Sequence, residues 1–353
     1  MRPGIRARPW AGLDVGSYSV KLLAIQGGVG GSRYWLAEAL LPPPEGEPDR
    51  VHAKDVVAKA IARCFEQASL TPRAFHGISL GISGPDVIIK QVSLPYLPDD
   101  EVGQALRFEA RKHLPFDPQG MIVDYQIVAR YPSEKKLEVI LAAVSEPHLE
   151  KHLEPLRLLG IDADIIDATP LALSNALAQG VGVDGVAQLL LDIGHNFSHL
   201  ALYQRGQPYF ARRLDFGGKT LTLAVAEKLR VPFDEAEEWK LAAGADEPGF
   251  HVDWAALEMQ AILDCLRHQL MDELQRSFAF YRTVGELPDP IKLWVSGGTA
   301  RLPGIVPRLS ELLDVPVMLF NPLDHLSGTP RGGIRPPLGP QFAQAFGLSL
   351  RTA

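Results

Sequence analysis

One pattern occurs twice in this chain. LDVGSYSVKLLAIQ runs from Leu13 to Gln26 and LDIGHNFSHLALYQ from Leu191 to Gln204, 178 positions apart and aligned without a gap. Each reads Leu-Asp, then Val or Ile, then Gly, and continues into an apolar strand ending in Gln. A strand closed by Asp-x-Gly and a tight turn, repeated at half-chain spacing, restricts the fold to two similar α/β halves. The length of 353 residues agrees, being too great for one ordinary domain.

The repeated turn has a chemical use. Gly16 and Gly194 let the backbone approach an anion closely, and the hydroxyls of Ser17, Ser19 and Ser198 add donors. Asp14 and Asp192 would repel a bare phosphate. They suit a hydrated Mg²⁺ between them, because Mg²⁺ keeps waters and prefers carboxylates plus phosphate oxygens. Two such turns face to face would clamp a polyphosphate. A third stretch, LWVSGGTARLPGI (Leu293–Ile305), is an apolar strand, a double-glycine turn and a Pro-Gly entry into a helix. Gly297 and Gly298 would let a flat ring lie against the backbone.

Composition removes other classes. A net charge of −7 and a pI near 5.8 argue against a nucleic-acid binder, which carries a basic face. Cys64 and Cys265 form no CxxC pair, which suits a reducing compartment and argues against a disulfide or zinc site. No run of 18 apolar residues offers a membrane span. The start, MRPGIRARPW, has no apolar stretch behind its arginines and reads as a loose arm.

Periodicity supplies the elements. Residues 19–25 and 34–41 read as strands flanking a turn at Gly27, Gly28, Gly30 and Gly31. In the second copy a turn at Arg205-Gly206 separates HLALY from YFARRL. Helical spacing at Val56, Ala60, Ile61 and Cys64 marks DVVAKAIARCFEQA. A helix near 97–115 is capped by Asp99 or Asp100 and stopped by Pro115, and another closes at Gly160. FHGISLGIS and LEVILAAV are strands, and DADIIDATPLALSNAL is a strand running into a helix. A long helical region spans about 219–284. IKLWVSGG is a strand and GIVPRLSELLD a helix. A Gly/Pro-rich loop, Ser327–Pro340, leads to the last helix.

With these motifs in this order, the chain resembles the actin/Hsp70/hexokinase ATPase superfamily, with phosphate-1 (13–22), phosphate-2 (191–200) and adenosine (295–305) motifs. Within it the chain is most similar to the type IV pilus assembly PilM family. The central FEARKHLPFD…DYQIV stretch, DFGGKTLT after phosphate-2, and VSGGTARLPGI followed by NPL carry that likeness. The resemblance implies an actin-like, two-lobed α/β fold of duplicated ribonuclease H-like domains, with an FtsA-like subdomain inserted in the first lobe. The expected organisation is an arm at 1–10, then a first lobe of 11–83, 166–186 and 340–353. Residues 84–165 are the inserted subdomain. The second lobe is 187–216 plus 286–339, with a helical subdomain at 217–285.

The resemblance also implies ligands, ATP and Mg²⁺. Asp14, Gly16, Ser17, Tyr18, Ser19 and Lys21 match phosphate-1, although strand alternation could turn Lys21 to solvent. Asp192, Gly194, His195, Asn196 and Ser198 match phosphate-2, where His195 replaces the usual small residue. Gly217 and Gly218 match the turn into the helical subdomain. Glu237 and Lys240 match a Glu-x-x-Lys pattern that reaches ribose and adenine in relatives, or form a solvated helix face. Gly297, Gly298, Thr299 and Leu302 match the adenosine motif. Asp14 and Asp192 are the expected metal-side carboxylates.

The linker between lobes, IIDATPLAL, departs from active relatives. Ala168 or Thr169 occupies the place of the acid or amide that orients water, and Asp167 falls one residue early. General-base assistance is worth about 10²–10⁴ in rate, so the expectation is slow or no turnover. The expected role is a cytoplasmic nucleotide-binding adaptor, peripheral to the inner membrane through a partner. That partner is the cytoplasmic N-terminal tail of a PilN-like inner-membrane protein, held between the first lobe and segment 84–165. Other pilus platform or motor proteins and self-association are compatible; nucleic acid and direct membrane insertion are not. A slow ATPase switch is the alternative, as is an FtsA-like division protein, although FGLSLRTA at the end lacks that family's basic amphipathic helix. A sugar or acetate kinase would need a further catalytic acid.

Overall fold

The computed structural model describes residues 8–27, 33–42, 52–113, 120–181, 186–204, 207–243, 256–284, 291–331 and 339–351. The arm up to residue 7, Gly28, Gly30, Gly31, the turn at 205–206 and the stop at Pro115 lie outside them.

The first copy of the repeat folds as β1 (Trp10–Val15), β2 (Ser19–Gln26) and β3 (Arg33–Leu40), an antiparallel meander. The second is β9 (Ala187–Ile193), β10 (Ser198–Gln204) and β11 (Gln207–Leu214), paired likewise. The registers coincide: Leu13 faces Leu22 and Leu191 faces Leu200. Each meander then takes a parallel neighbour. β4 (Gly77–Ile82) lies beside β1, followed by β8 (Ile165–Ala168); β12 (Ile291–Ser296) lies beside β9, followed by β13 (Val317–Leu319). The resulting orders, β3-β2-β1-β4-β8 and β11-β10-β9-β12-β13, are the same topology twice.

One addition corrects the expected loop at Ser327–Pro340. Thr329–Arg331 forms β14, a parallel strand on the outer edge of β3. Pro330 is tolerated there because an edge strand has one unpaired side.

Between the two sheets lie α4 (Thr169–Val181) and α10 (Ala343–Ser349). Leu173 and Leu177 of α4, Phe346 of α10 and Phe342 just before it form one buried layer with Leu23 and Leu36 of the first sheet and Leu190 and Ala201 of the second. Close approach requires glycine at two points. A Cβ on Gly12 would stand 2.1 Å from the Ala345 carbonyl oxygen, and one on Gly347 would stand 1.8 Å from that of Ala172. The outer faces are covered separately. α1 (Lys54–Ala68) and α3 (Glu146–Leu158) cover the first sheet. The second is covered by α5 (Gly218–Leu229), α6 (Phe233–Ala243), α7 (Leu257–Cys265) and α8 (Met271–Val284), with α9 (Ile305–Leu313). Of the stripe expected on α1, Ala60, Ile61 and Cys64 are buried and Val56 partly so.

A third sheet, in the order β5-β7-β6, is inserted between β4 and β8. It consists of β5 (Val87–Pro95), β6 (Met121–Tyr131) and β7 (Lys136–Ser145), and carries α2 (Asp99–His113) on its own small core of Val92, Leu94, Val102, Leu106 and Leu137. The sequence reading left 87–95 and 121–131 without strands. It also put Asp99 or Asp100 at the cap of α2. Both lie inside its first turn, where with Glu101 they favour the positive helix end.

Candidate functional site

The two acid–glycine turns close alike. The Gly16 N–H donates to the Ser19 carbonyl over 3.1 Å, and the Gly194 N–H donates to that of Phe197 over the same distance. These are equivalent positions in the repeat. A Cβ on Gly194 would stand 2.6 Å from the Phe197 oxygen, so the turn requires glycine there. Both glycine N–H groups are thus spent on closing the turns and are not offered to a ligand.

The turns face each other across a cavity of about 280 Å³. The first supplies Tyr18, Ser19 and Lys21; the second supplies Gly194 and His195. The Tyr18 and His195 rings meet over it, centroids 5.2 Å apart. Gly218, Glu237 and Lys240 form one wall, and Gly298, Thr299 and Leu302 another. Lys21 therefore points into the cleft and not to solvent. His195 is held neutral: burial, with Lys240 adding to it, pushes its pKa down to about 4.

Other expected residues stand around this cavity without lining it. Asp14 and Asp192 lie beneath its floor, 6% and 2% exposed. Gly217 precedes α5, where a Cβ would meet the His195 carbonyl at 2.3 Å. Gly297 has φ 93° and would meet the Ile193 backbone at 2.4 Å, whereas a Cβ on Gly298 meets nothing within 4 Å. Ser17 is exposed, its carbonyl 3.1 Å from His52 Nε2, and Asn196 is half-buried. Ser198 lies below the cavity lining. Its fully buried hydroxyl donates to the Phe216 carbonyl over 2.7 Å and serves the fold.

Glu237 and Lys240 form no solvated face. Lys240 Nζ donates to the Gly218 carbonyl at 2.9 Å, Thr222 Oγ1 at 2.7 Å and Glu237 Oε2 at 2.8 Å. The Thr222 hydroxyl also bonds Glu237. This network fixes the start of α5, whose second N–H, from Lys219, donates to the His195 carbonyl over 2.9 Å.

Sequence reasoning missed Glu38, Leu241, Arg301 and Gln341, all of which line the cavity. Glu38 was accessible in principle. Asp14 pairs with Lys21 across β1 and β2, and Lys21 with Glu38 across β2 and β3, so the three occupy one row. Glu38 accepts from Ser19 Oγ at 2.8 Å and from Gln341 Nε2 at 3.3 Å. Arg301 stood inside the quoted adenosine motif.

The floor is electrostatically uneven. Lys21 Nζ lies 3.4 Å from Asp14 Oδ2. Asp192 accepts from Ser296 Oγ at 2.6 Å and Gln344 Nε2 at 2.5 Å. Burial raises Asp14 despite Lys21, and lifts Asp192 to about 6 against those two hydrogen bonds. Burial pulls Lys21 down, but Asp14, Glu38 and Asp192 together outweigh it and raise its pKa. Three carboxylates around one ammonium leave the cluster short of positive charge, so a cation suits the donor set. Among the described residues no three metal-ligating side chains converge. A divalent ion here would keep waters, as Mg²⁺ does.

The linker is also visible. β8 ends at Ala168 and α4 begins at Thr169, both buried. Asp167 does not line the cavity; its carboxylate lies 3.2 Å from Arg351 Nε.

Known proteins agree with this fold. The family model for type IV pilus assembly protein PilM matches residues 12–353. The chain belongs to the PilM family. Among solved structures, a PilM-PilN type IV pilus biogenesis complex superposes with TM-score 0.76 and 26% identity, covering 99% of this chain and 98% of that one. MreB5 of Spiroplasma citri bound to AMPPNP (TM-score 0.51, 12% identity, 96% and 94% covered) shares the actin-like fold. EutJ of Carboxydothermus hydrogenoformans (0.50, 16%, 97% and 89%) shares it too. Cell division protein FtsA of Neisseria meningitidis is 23% identical over 83% of this chain and 78% of its own length. FtsA of Borreliella burgdorferi is 24% identical over 46% of this chain and only 42% of its own length. Among the described residues no helix is long and apolar enough to cross a membrane. The PilM family, the actin-like fold and a part in type IV pilus assembly are thereby established.

Proposed function

We propose that this chain is an ATP-binding adaptor of type IV pilus assembly, which takes up the cytoplasmic N-terminal tail of a PilN-like inner-membrane protein. The observation that carries the nucleotide half is the repeated turn. Two copies of one sequence, closed by equivalent hydrogen bonds, meet over one cavity with Lys21, Lys240 and Arg301 on its walls. Phosphates would lie between the turns, and the base and ribose toward Gly298, Thr299, Leu302 and the Glu237–Lys240 pair. A hydrated Mg²⁺ above Asp14 and Asp192 would neutralise phosphate charge.

The tail half is supported by strand edges. β8 is the outer strand of the first sheet and β6 an outer strand of the inserted one, and each can accept an added strand. Ile166 of β8 and Ile122 of β6 are exposed, and Asp124 of β6 is near enough to Asp167 for its charge to raise that pKa. An extended apolar tail would fit between them. Recruitment through this tail would place the protein at the cytoplasmic side of the inner membrane.

Turnover is proposed to be slow or absent, since Ala168 and Thr169 cannot act as a base and Asp167 is turned to Arg351. Calorimetric titration with ATP and Mg²⁺ tests the nucleotide half: one ATP per chain is expected, and no saturable heat at any temperature would remove it.

A further inference from the structure

The row Asp14–Lys21–Glu38 has a consequence for how the cation reaches the nucleotide site, and this rests on the nucleotide reading above. Three adjacent strands, about 4.8 Å apart, present these side chains in register on one face. Asp192 of the second turn adds its charge from the opposite side. The side chains of Lys21 and Asp14 are only 13% and 8% exposed, so water does little to neutralise the acids. The cavity's other lysine is not comparable. Lys240 is locked by three acceptors at 2.7–2.9 Å. Lys21 instead makes a long hydrogen bond, 3.4 Å to Asp14 Oδ2, and is held mainly by the surrounding charge, so it can move.

We propose that the Lys21 ammonium is the resident cation of the nucleotide-free cleft, so that free Mg²⁺ is excluded and the divalent ion enters only together with nucleotide. A tethered ammonium competes with dissolved cations at a high effective concentration. Withdrawing it without replacement would leave buried carboxylates uncompensated, which is strongly unfavourable. Nucleotide changes the balance, because phosphate oxygens give Lys21 a new partner. The ammonium can then leave Asp14 without losing its counter-charge, and Asp14 and Asp192 are released to hold a hydrated divalent ion. Nucleotide and cation therefore bind with positive linkage.

The test uses Mn²⁺ followed by electron paramagnetic resonance on the full chain, with and without ATP. The parent should take up no stoichiometric Mn²⁺ alone and one ion with ATP. Lys21→Met should bind Mn²⁺ without nucleotide, on the order of tenfold or more tighter than the parent, and millimolar Mg²⁺ should raise its melting temperature. Asp14→Asn added to Lys21→Met should abolish both effects. Stoichiometric Mn²⁺ on the nucleotide-free parent would overturn the proposal, as would a folded Lys21→Met variant that binds none. If Lys21→Met does not fold, Lys21→Gln is read the same way, and the parent measurement stands by itself. A parent that binds no ATP under any condition would instead remove the nucleotide reading.

Discussion

At the scale of single residues, the two adjacent glycines of the adenosine motif have different jobs. Gly297 has a left-handed φ of 93° with the Ile193 backbone against it, whereas Gly298 borders open cavity. Gly297→Ala should lower stability by about 1–3 kcal/mol, the usual cost of such backbone strain, measured by denaturant unfolding. Gly298→Ala should melt like the parent but bind ATP more weakly. His199 supplies a pH effect. It is buried with its Nδ1 3.4 Å from Gln344 Nε2, and burial, reinforced by Arg213, lowers its pKa from 6.5 to about 4. The folded value lies below the unfolded one. The stability this contributes is therefore complete above pH 6.5 and lost as pH falls toward 4, about 3 kcal/mol in all. His199→Gln should flatten the melting profile over that range; an unchanged profile would show that His199 is not responsible. The acid–glycine turns at Asp14–Gly16 and Asp192–Gly194 were legible from the repeat, whereas Lys21, which has His199 in its place in the second copy, came only with the resemblance. The diversion of Ser198 to Phe216 was not legible, because its neighbour lies in a distant turn. Glu38 needed the β2–β3 register, which sequence spacing alone leaves open.

At the scale of elements, the duplicated meander was readable because alternation, turn glycines and a gap-free repeat agreed. The inserted sheet was not. β6 buries neither face fully: its positions alternate between partly buried and exposed over Met121–Gln126, but apolar Ile122 falls on the exposed face, and β14 is three residues paired to a neighbour's edge. α10 shows what a short element can do when every face is packed. Phe346 is fully buried between the sheets, and Phe346→Ala should cost about 3–5 kcal/mol. Equilibrium unfolding would show it, and a loss well below 1 kcal/mol would mean that α10 does not join the two halves. The β8–α4 linker carries a kinetic expectation. With Ala168 and Thr169 there, phosphate release should stay below about one turnover per second, the low end of ordinary enzyme rates. Sustained faster turnover would favour a hydrolytic switch over an adaptor.

At the scale of the whole molecule, α4 and α10 touch both sheets, so a ligand drawing the two turns together acts on the body that also bears β8 and β6. ATP should tighten binding of a PilN-like N-terminal peptide by about 5–150-fold, the usual range of such coupling; equal affinity with and without ATP would remove it. All of this depends on nucleotide occupying the cleft between the repeated turns. The most direct measurement is the melting temperature of the purified chain as ATP is raised to millimolar concentration with Mg²⁺ present. A ligand of the native state at about 100 times its Kd adds about 2.7 kcal/mol, so a clear, saturable rise of several degrees is predicted. A melting temperature that does not move would contradict it.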